Sequence, residues 1–476
     1  MKRAFILSLV LLFTLNLHSH PWKPSHYVII DTDGGVDDMN AISLLLASPD
    51  VRVLAIISSS GVLSAEKTYL KVKSLLKGFY HEGLPVGINR KTGYQSRNFE
   101  SALQAKWGDE SGIDLSKAED FMQLIKETFS AEKTKISFIC LGGMSTVNAA
   151  VKELADFNKH VNEIIWSADG ITDTRGFNYN IDKRAAMSIL KGDTPLKIVR
   201  GFGKENFYDR ELLKTISETN TVYAIRISEF FHSEAAVKDS FPFTGYDEMA
   251  ALYIHYPGLF KTDSVNHKTE NTPYEKSSLR SNYVRILKGQ TVIRNQVIKE
   301  FPSDPLFYSA DVEPSVTEII KKYGTDEWTS GVLANELHRH LGVFAIVGVK
   351  MGIRAREYFC TGVDEFRVTS FAGSIPPLSC MNDGLQVSTG ATPGHGLLTV
   401  ISDTITRPVA EFTYLNHTIR LTLKPEIAEK IQSELKEIDF VYGLDSNIYW
   451  ELVRKNSIKY WFNLDRHDIF IIEEIR

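Results

Sequence analysis

The stretch Tyr27-Val28-Ile29-Ile30-Asp31-Thr32-Asp33-Gly34-Gly35-Val36-Asp37-Asp38-Met39-Asn40-Ala41 decides how this chain is read. Tyr27 to Ile30 is a short apolar run rich in β-branched residues, the pattern of a strand buried on both faces. Gly34-Gly35 permits a tight turn. Met39, Ile42, Leu45 and Leu46 then recur at helical spacing. Strand, acidic turn and helix follow each other without a linker. Four carboxylates, Asp31, Asp33, Asp37 and Asp38, fall within this one turn. Such density is self-repulsive at neutral pH unless a cation offsets it. Hard divalent cations such as calcium take several oxygen ligands, carboxylate and carbonyl alike. An acidic helix cap is the plainer reading, since Asp is favoured at helix N-termini. A cap needs one Asp rather than four, and this cluster follows a buried strand, so a metal site is expected.

Outward from this stretch the alternation continues. Strands are expected at Val51–Ser58, Lys135–Leu141, Val161–Trp166 and Leu196–Val199. Helices are expected at Ser64–Phe79, Lys117–Ser130, Ser145–Phe157 and Asp182–Leu190. The fold class that follows is α/β: a mostly parallel open sheet with helices on both faces, whose ligands bind beyond the carboxyl ends of the strands. After about residue 320 the character changes. Glu313–Tyr323 reads as a last helix and Gly324-Thr-Asp-Glu-Trp328 as a polar joint. Leu333 to Met351 carries a helical pattern, with a stripe of small residues at Gly342, Ala345, Gly348 and Gly352. That stripe permits close helix approach, inside the domain or at a homodimer seam. A hairpin around Asn416-His417 and a helix over Pro425–Asp439 complete a smaller α+β domain. The expected division is residues 24–325 and 326–476.

The chain has 476 residues, 43% hydrophobic and 24% charged, with a net charge of −5. These values exclude a disordered chain, a fibrous repeat and a multi-span membrane protein. No basic excess is present to neutralise phosphates, which argues against a nucleic-acid binder. Cys140, Cys360 and Cys380 are the only cysteines, too few for a disulfide framework. Residues 1–20 pair Lys2-Arg3 with an apolar stretch too short to span a bilayer comfortably. A signal peptide is expected, and with it an exported protein, periplasmic if the source is Gram-negative. An uncleaved N-terminal anchor is the alternative; after cleavage no membrane association is expected.

The Asp31–Ala41 motif resembles the N-terminal signature of the inosine-uridine nucleoside hydrolase family, with Gly34 where that family usually has Pro. Leu54–Gly61, Phe138–Ala149, Gly176–Ala186 and Tyr246–Ala250 resemble further family segments in the same order, over about residues 25–320. The resemblance implies a calcium-dependent hydrolase of N-glycosidic bonds in nucleosides or related ribosyl compounds. It implies Asp33 as calcium ligand and water-activating base, Asp38, Asp247 and the Leu141 carbonyl as further ligands, and Asp37 and Asn178 as ribose contacts. Asp31 would support Asp33. Three positions depart from the family: Val62 replaces an Asn, Gly176 a Glu, and Tyr246 the His that protonates the leaving base. Tyr246 is the candidate acid that remains, less suited near pH 7 than His. A non-catalytic protein that captures a ribosyl ligand with the same calcium site is the rival reading.

His338-Arg339-His340 precedes the small-residue helix, and Cys380 begins Cys380-Met-Asn-Asp383-Gly-Leu-Gln386. Two imidazoles and a thiolate suit zinc, although surface histidines and a buried thiol are the commoner case. These segments, with Gly390-x-Thr392-x-Gly394, resemble the FmdE family, known through its association with the formylmethanofuran dehydrogenase operon, over about residues 328–476. The resemblance implies a thinned zinc site at His338, His340 and Cys380. A third reading therefore gives the C-terminal domain a metal or redox function.

Overall fold

A computed structural model describes residues 23–475 except 92–93, 171–175, 204, 239–242, 266–267, 292–297, 299 and 403–404. The expected signal segment lies outside the described residues. Nine strands form the first sheet: β1 (His26–Thr32), β2 (Val51–Ser58), β3 (Val86–Ile88), β4 (Glu119–Asp120), β5 (Ile136–Cys140), β6 (Val161–Ser167), β7 (Leu196–Val199), β8 (Phe260–Val265) and β9 (Lys268–Pro273). Their order is β4-β3-β2-β1-β5-β6-β7-β9-β8, and every pairing is parallel except β8 with β9. β1 is central, and its side chains alternate between two cores. Val28 and Ile30 pack with α1 (Val36–Ala47), whereas Ile29 packs with Phe138 and Trp166 on the opposite face. The short strands β3 and β4 and the β8–β9 pair escape the sequence pattern, because each lacks a sustained apolar run.

The second sheet has the order β11-β10-β12-β13-β14, from β10 (Arg367–Ser370), β11 (Leu398–Val400), β12 (Val409–Tyr414), β13 (His417–Leu423) and β14 (Phe470–Ile475). Helix α2 (Glu313–His338) crosses the expected joint. Gly324 (φ 86°, ψ 167°) kinks it there, yet the residues after the kink are helical rather than a polar loop. The helical pattern read across 333–351 is divided. Arg339 takes a left-handed conformation, and α3 (Val343–Phe359) starts afresh after Gly342. The small-residue stripe of α3 lies inside the domain. A Cβ on Gly348 would stand 2.1 Å from the Met381 carbonyl of α4 (Met381–Thr389), and one on Gly352 would meet Ser388 at 2.0 Å. Among the described residues no helix is long and apolar enough to cross a membrane.

The two sheets belong to units that interlock. His81 faces the Glu357 carbonyl at 2.6 Å through Nδ1, Arg354 pairs with Glu82 at 2.8 Å, and the Gly83 N–H donates to the Tyr358 carbonyl at 3.0 Å. Tyr80 stacks on His467 with ring centroids 3.5 Å apart.

Candidate active site

The loops after β1, β2, β5 and β6 meet at the carboxyl edge of the sheet. Asp31, next to the last residue of β1, has its Oδ1 accepting from Thr146 Oγ1 at 2.7 Å and its Oδ2 from Ser59 Oγ at 3.3 Å. Asp38, in the first turn of α1, is held by the turn before it. Its Oδ1 accepts from Thr32 Oγ1 (2.5 Å) and the Asp33 N–H (3.0 Å), and its Oδ2 from the Gly35 N–H (3.1 Å). Gly34, at φ 88°, makes that turn possible. Asp247 enters from the far end of the domain, just before a helix over Glu248–His255. One carboxylate oxygen each of Asp37, Asp38 and Asp247 lies within 4.8 Å of the others. Among the described residues no other set of three or more His, Cys, Asp or Glu side chains meets so closely.

Burial makes this arrangement electrostatically costly. Asp31, Asp33, Asp37, Asp38 and Asp247 are each at most 5% exposed. Burial, followed by hydrogen-bonding to Thr146 and Ser59 that opposes it, leaves the Asp31 carboxyl at about 8. Burial and the neighbouring carboxylates push Asp33, Asp37 and Asp247 well above the usual range, and burial raises Asp38. Asp33 Oδ2 is buried and has no hydrogen-bond partner. An orphaned oxygen beside a triad of carboxylates is a donor set for a hard divalent cation, so the residues fit such an ion.

The walls of the site are packed rather than plastic. Trp166 Nε1 donates to the Gly142 carbonyl at 3.0 Å. Asn178 Nδ2 donates to the carbonyls of Leu141 (2.6 Å) and Ser167 (3.0 Å). The structure therefore brings Asn178 and the Leu141 carbonyl together, with the amide donating to that carbonyl. Tyr246 is raised above its ordinary value by burial, then by Asp169 and Asp37.

Sequence reasoning missed two features. Glu248, fully buried, takes Oε1 bonds from Asn40 Nδ2 (3.0 Å) and Tyr208 Oη (2.7 Å) behind the aspartates, and burial raises it to about 7. Its only sequence signal was adjacency to Asp247. Asp169 is the second: its Oδ2 lies 2.3 Å from where a Cβ on Gly176 would stand. A carboxylate from another position thus fills the room left by the missing side chain at 176.

In the second unit His338, His340 and Cys380 are close in space but do not form a three-ligand metal group. His338 Nδ1 is instead bonded to Asp383 Oδ2 at 2.7 Å. The zinc expectation finds no support in this geometry, because among the described residues these three side chains do not converge as a ligand set. Cys140, in the core of β5, is raised well above its ordinary value by burial and by Asp31, as an inert thiol would be.

A buried carboxylate cluster at the strand ends of a mostly parallel sheet lies where such a fold binds its ligands, and similarity to known proteins gives the class, a hydrolase acting on glycosidic bonds. Residues 28–317 match the inosine-uridine preferring nucleoside hydrolase family, and residues 337–440 match FmdE, described by the molybdenum formylmethanofuran dehydrogenase operon. The chain belongs to the inosine-uridine preferring nucleoside hydrolase family and carries an FmdE-like domain after it. It is 23% identical over 256 residues to the pyrimidine-specific ribonucleoside hydrolase RihA of Escherichia coli O1:K1, covering 49% of this chain and 81% of that protein. The solved inosine-uridine preferring nucleoside hydrolase of Bacillus anthracis aligns at 13% identity and TM-score 0.47, over 55% of this chain and 99% of that one. The purine-preferring ribonucleoside hydrolase of Gardnerella vaginalis aligns at 17% and 0.43, over 56% and 99%.

Proposed function

We propose that this protein hydrolyses the N-glycosidic bond of a nucleoside or related ribosyl compound, with a calcium ion held by Asp33, Asp38, Asp247 and the Leu141 carbonyl. The observation that carries this reading is the buried carboxylate group, which a cation would relieve. When bound, the ion offsets the carboxylate charge and supplies Lewis-acid polarisation at the sugar. Asp33 is the base: its Oδ2 has no protein partner and can take a proton from the attacking water. Bond cleavage passes through an oxocarbenium-like sugar, and Asp37 sets a negative charge beside it. Asp37 and Asn178 bind the sugar hydroxyls. Asp31 holds the end of β1 so that Asp33 stays in place.

Tyr246 covers the leaving-group side as a hydrogen-bond donor. Burial keeps its phenol protonated, so it is a weak acid at neutral pH. This favours compounds whose base departs with little protonation. The test is release of free base from a panel of ribosyl compounds in the presence of calcium. Asp33→Asn is expected to lower turnover by about 10³-fold, within the range for a general base. Binding without turnover across the whole panel would replace the enzyme with a ribosyl-ligand binder. Export and a periplasmic location rest on the N-terminal segment, and N-terminal sequencing of the mature protein tests them.

A further inference from the structure

Behind the carboxylate group two buried helices are tied by a polar pair. The helix over Glu248–His255 packs against α1, and Met39, Ala41, Ile42 and Met249 belong to one apolar core. Apolar contact alone sets the register of two such helices weakly, because burial is non-directional. Asn40 and Glu248 supply the direction. Both are fully buried. Asn40 Nδ2 donates to Glu248 Oε1 at 3.0 Å. The same oxygen accepts from Tyr208 Oη at 2.7 Å, and Tyr208 Oη lies 3.0 Å from Tyr283 Oη. Tyr208 comes from the segment after β7, and Tyr283 from the helix over Lys276–Leu287. Three segments thus meet at one carboxylate oxygen, and a fourth backs them.

This is not the most stable packing available. Glu248 Oε2 and Asn40 Oδ1 are buried and have no partner among the described residues. A half-satisfied polar pair is less stable than two apolar side chains of similar volume. The effect of the pair is therefore on position. Asp37 and Asn40 stand one helical turn apart on the same face of α1. Glu248 directly follows Asp247. A bond from Asn40 to Glu248 thus fixes Asp37 and Asp38 relative to Asp247, the three carboxylates whose oxygens come together. Those carboxylates repel one another when charged, and the bond holds their helices in place before a cation binds.

We infer that Asn40, Glu248 and Tyr208 are positioning residues that preform the cation site, so that calcium binds without first drawing two helices together. The inference rests on the calcium reading of that site given above. The three residues act on the ion through Asp37, Asp38 and Asp247 and not as ligands. Preorganisation raises affinity by removing the ordering step from binding. Outer partners of this kind are worth about 10–100-fold in metal affinity.

The experiment is calcium titration of the full chain by calorimetry, beside urea unfolding in chelator. Asn40→Leu and Glu248→Leu should each weaken calcium binding about tenfold. The double variant should be no weaker than either single one, since the same contact is lost in all three. It also places two apolar groups in an apolar interface, so its calcium-free urea midpoint should equal or exceed that of the parent. Affinity lost at undiminished stability is a result that a merely structural role does not give. Glu248→Gln keeps an acceptor for Asn40 and Tyr208 and removes the charge, so its affinity should stay within about threefold of the parent. Tyr208→Phe removes one hydroxyl and should weaken binding about threefold, which keeps the test open if a leucine variant does not fold. Affinity and midpoint that fall together in the double variant would make the network structural and overturn the inference. Glu248→Gln as weak as Glu248→Leu would overturn it in favour of charge. A parent that binds no calcium overturns the cation site itself, whereas a parent that binds it no more tightly than Asn40→Leu and Tyr208→Phe overturns the positioning role alone.

Discussion

Asp33 and Gly61 are built to each other's shape: a Cβ on Gly61 would stand 2.0 Å from Asp33 Oδ2, and one on Gly142 would stand 2.9 Å from the same oxygen. Two loops, after β2 and after β5, thus confine a buried carboxylate oxygen that lacks a partner. Gly61→Ala is expected to push this carboxylate aside while the fold remains. Displacement of a reacting group by about 1 Å costs on the order of 10²-fold. Turnover should fall by about that factor with little change in the thermal midpoint. An active Gly61→Ala protein would show that the position of Asp33 is not critical.

The aspartates also predict a link between cation, pH and stability. Their carboxyls are raised by burial, Asp31 to about 8, against about 3.9 in an unfolded chain. A raised carboxyl gives stability that is full below about pH 4 and is lost as pH climbs toward the folded value. The cation-free protein should therefore lose thermal stability between about pH 4 and 8. Calcium should reverse that loss, by about 2.7 kcal/mol at a hundred times its dissociation constant. Asp247→Asn should weaken the effect. Melting curves with chelator and with calcium at pH 5 and 8 check this, and curves that overlay at pH 8 would count against a cation site.

His338 titrates in the opposite sense. Its bond to Asp383, then its interaction with Cys380, raise it to about 9. The stability it contributes is complete below about pH 6.5 and disappears as pH rises through about 9. Asp383→Asn should flatten the urea midpoint across that interval and lower it at pH 6.5. An unchanged profile would mean that the pair adds nothing to the folded state.

How far the sequence could be read depended on whether periodicity or distance carried the information. β1, its acidic turn and α1 were legible because strand, glycines and helix are contiguous and each has its own period. The parallel sheet followed from the alternation after it. The support of the site was not legible, because its parts come from far away in the chain. Thr146 holds Asp31, Glu248 meets Asn40, and Asp169 occupies the space beside Gly176. Asp37 was assigned to the sugar from resemblance, whereas the fold also sets it with Asp38 and Asp247. The zinc reading shows the converse limit: residue types and spacing suggested a metal, and the fold does not gather His338, His340 and Cys380 into a ligand set.

The joint between the two units carries the last prediction. Arg52, on β2 of the first sheet, reaches Glu365 at 2.6 Å through Nη2 and the Cys360 carbonyl at 2.5 Å through Nη1. The side chains of Arg52 and Glu365 are 4% and 15% exposed. Removing one partner of a buried pair leaves the other charge without compensation, which costs about 3–5 kcal/mol. Glu365→Leu should therefore lower stability by about 3 kcal/mol, the low end, because Glu365 is partly solvated and Arg52 keeps its carbonyl. Arg52→Met with Glu365→Leu should recover most of that loss, since an apolar pair leaves no stranded charge. If the joint couples the two units, the parent unfolds in urea as one transition and Glu365→Leu divides it into two. A single mutant that costs under about 0.5 kcal/mol, the scale of an exposed pair, would show that the joint does not depend on this contact.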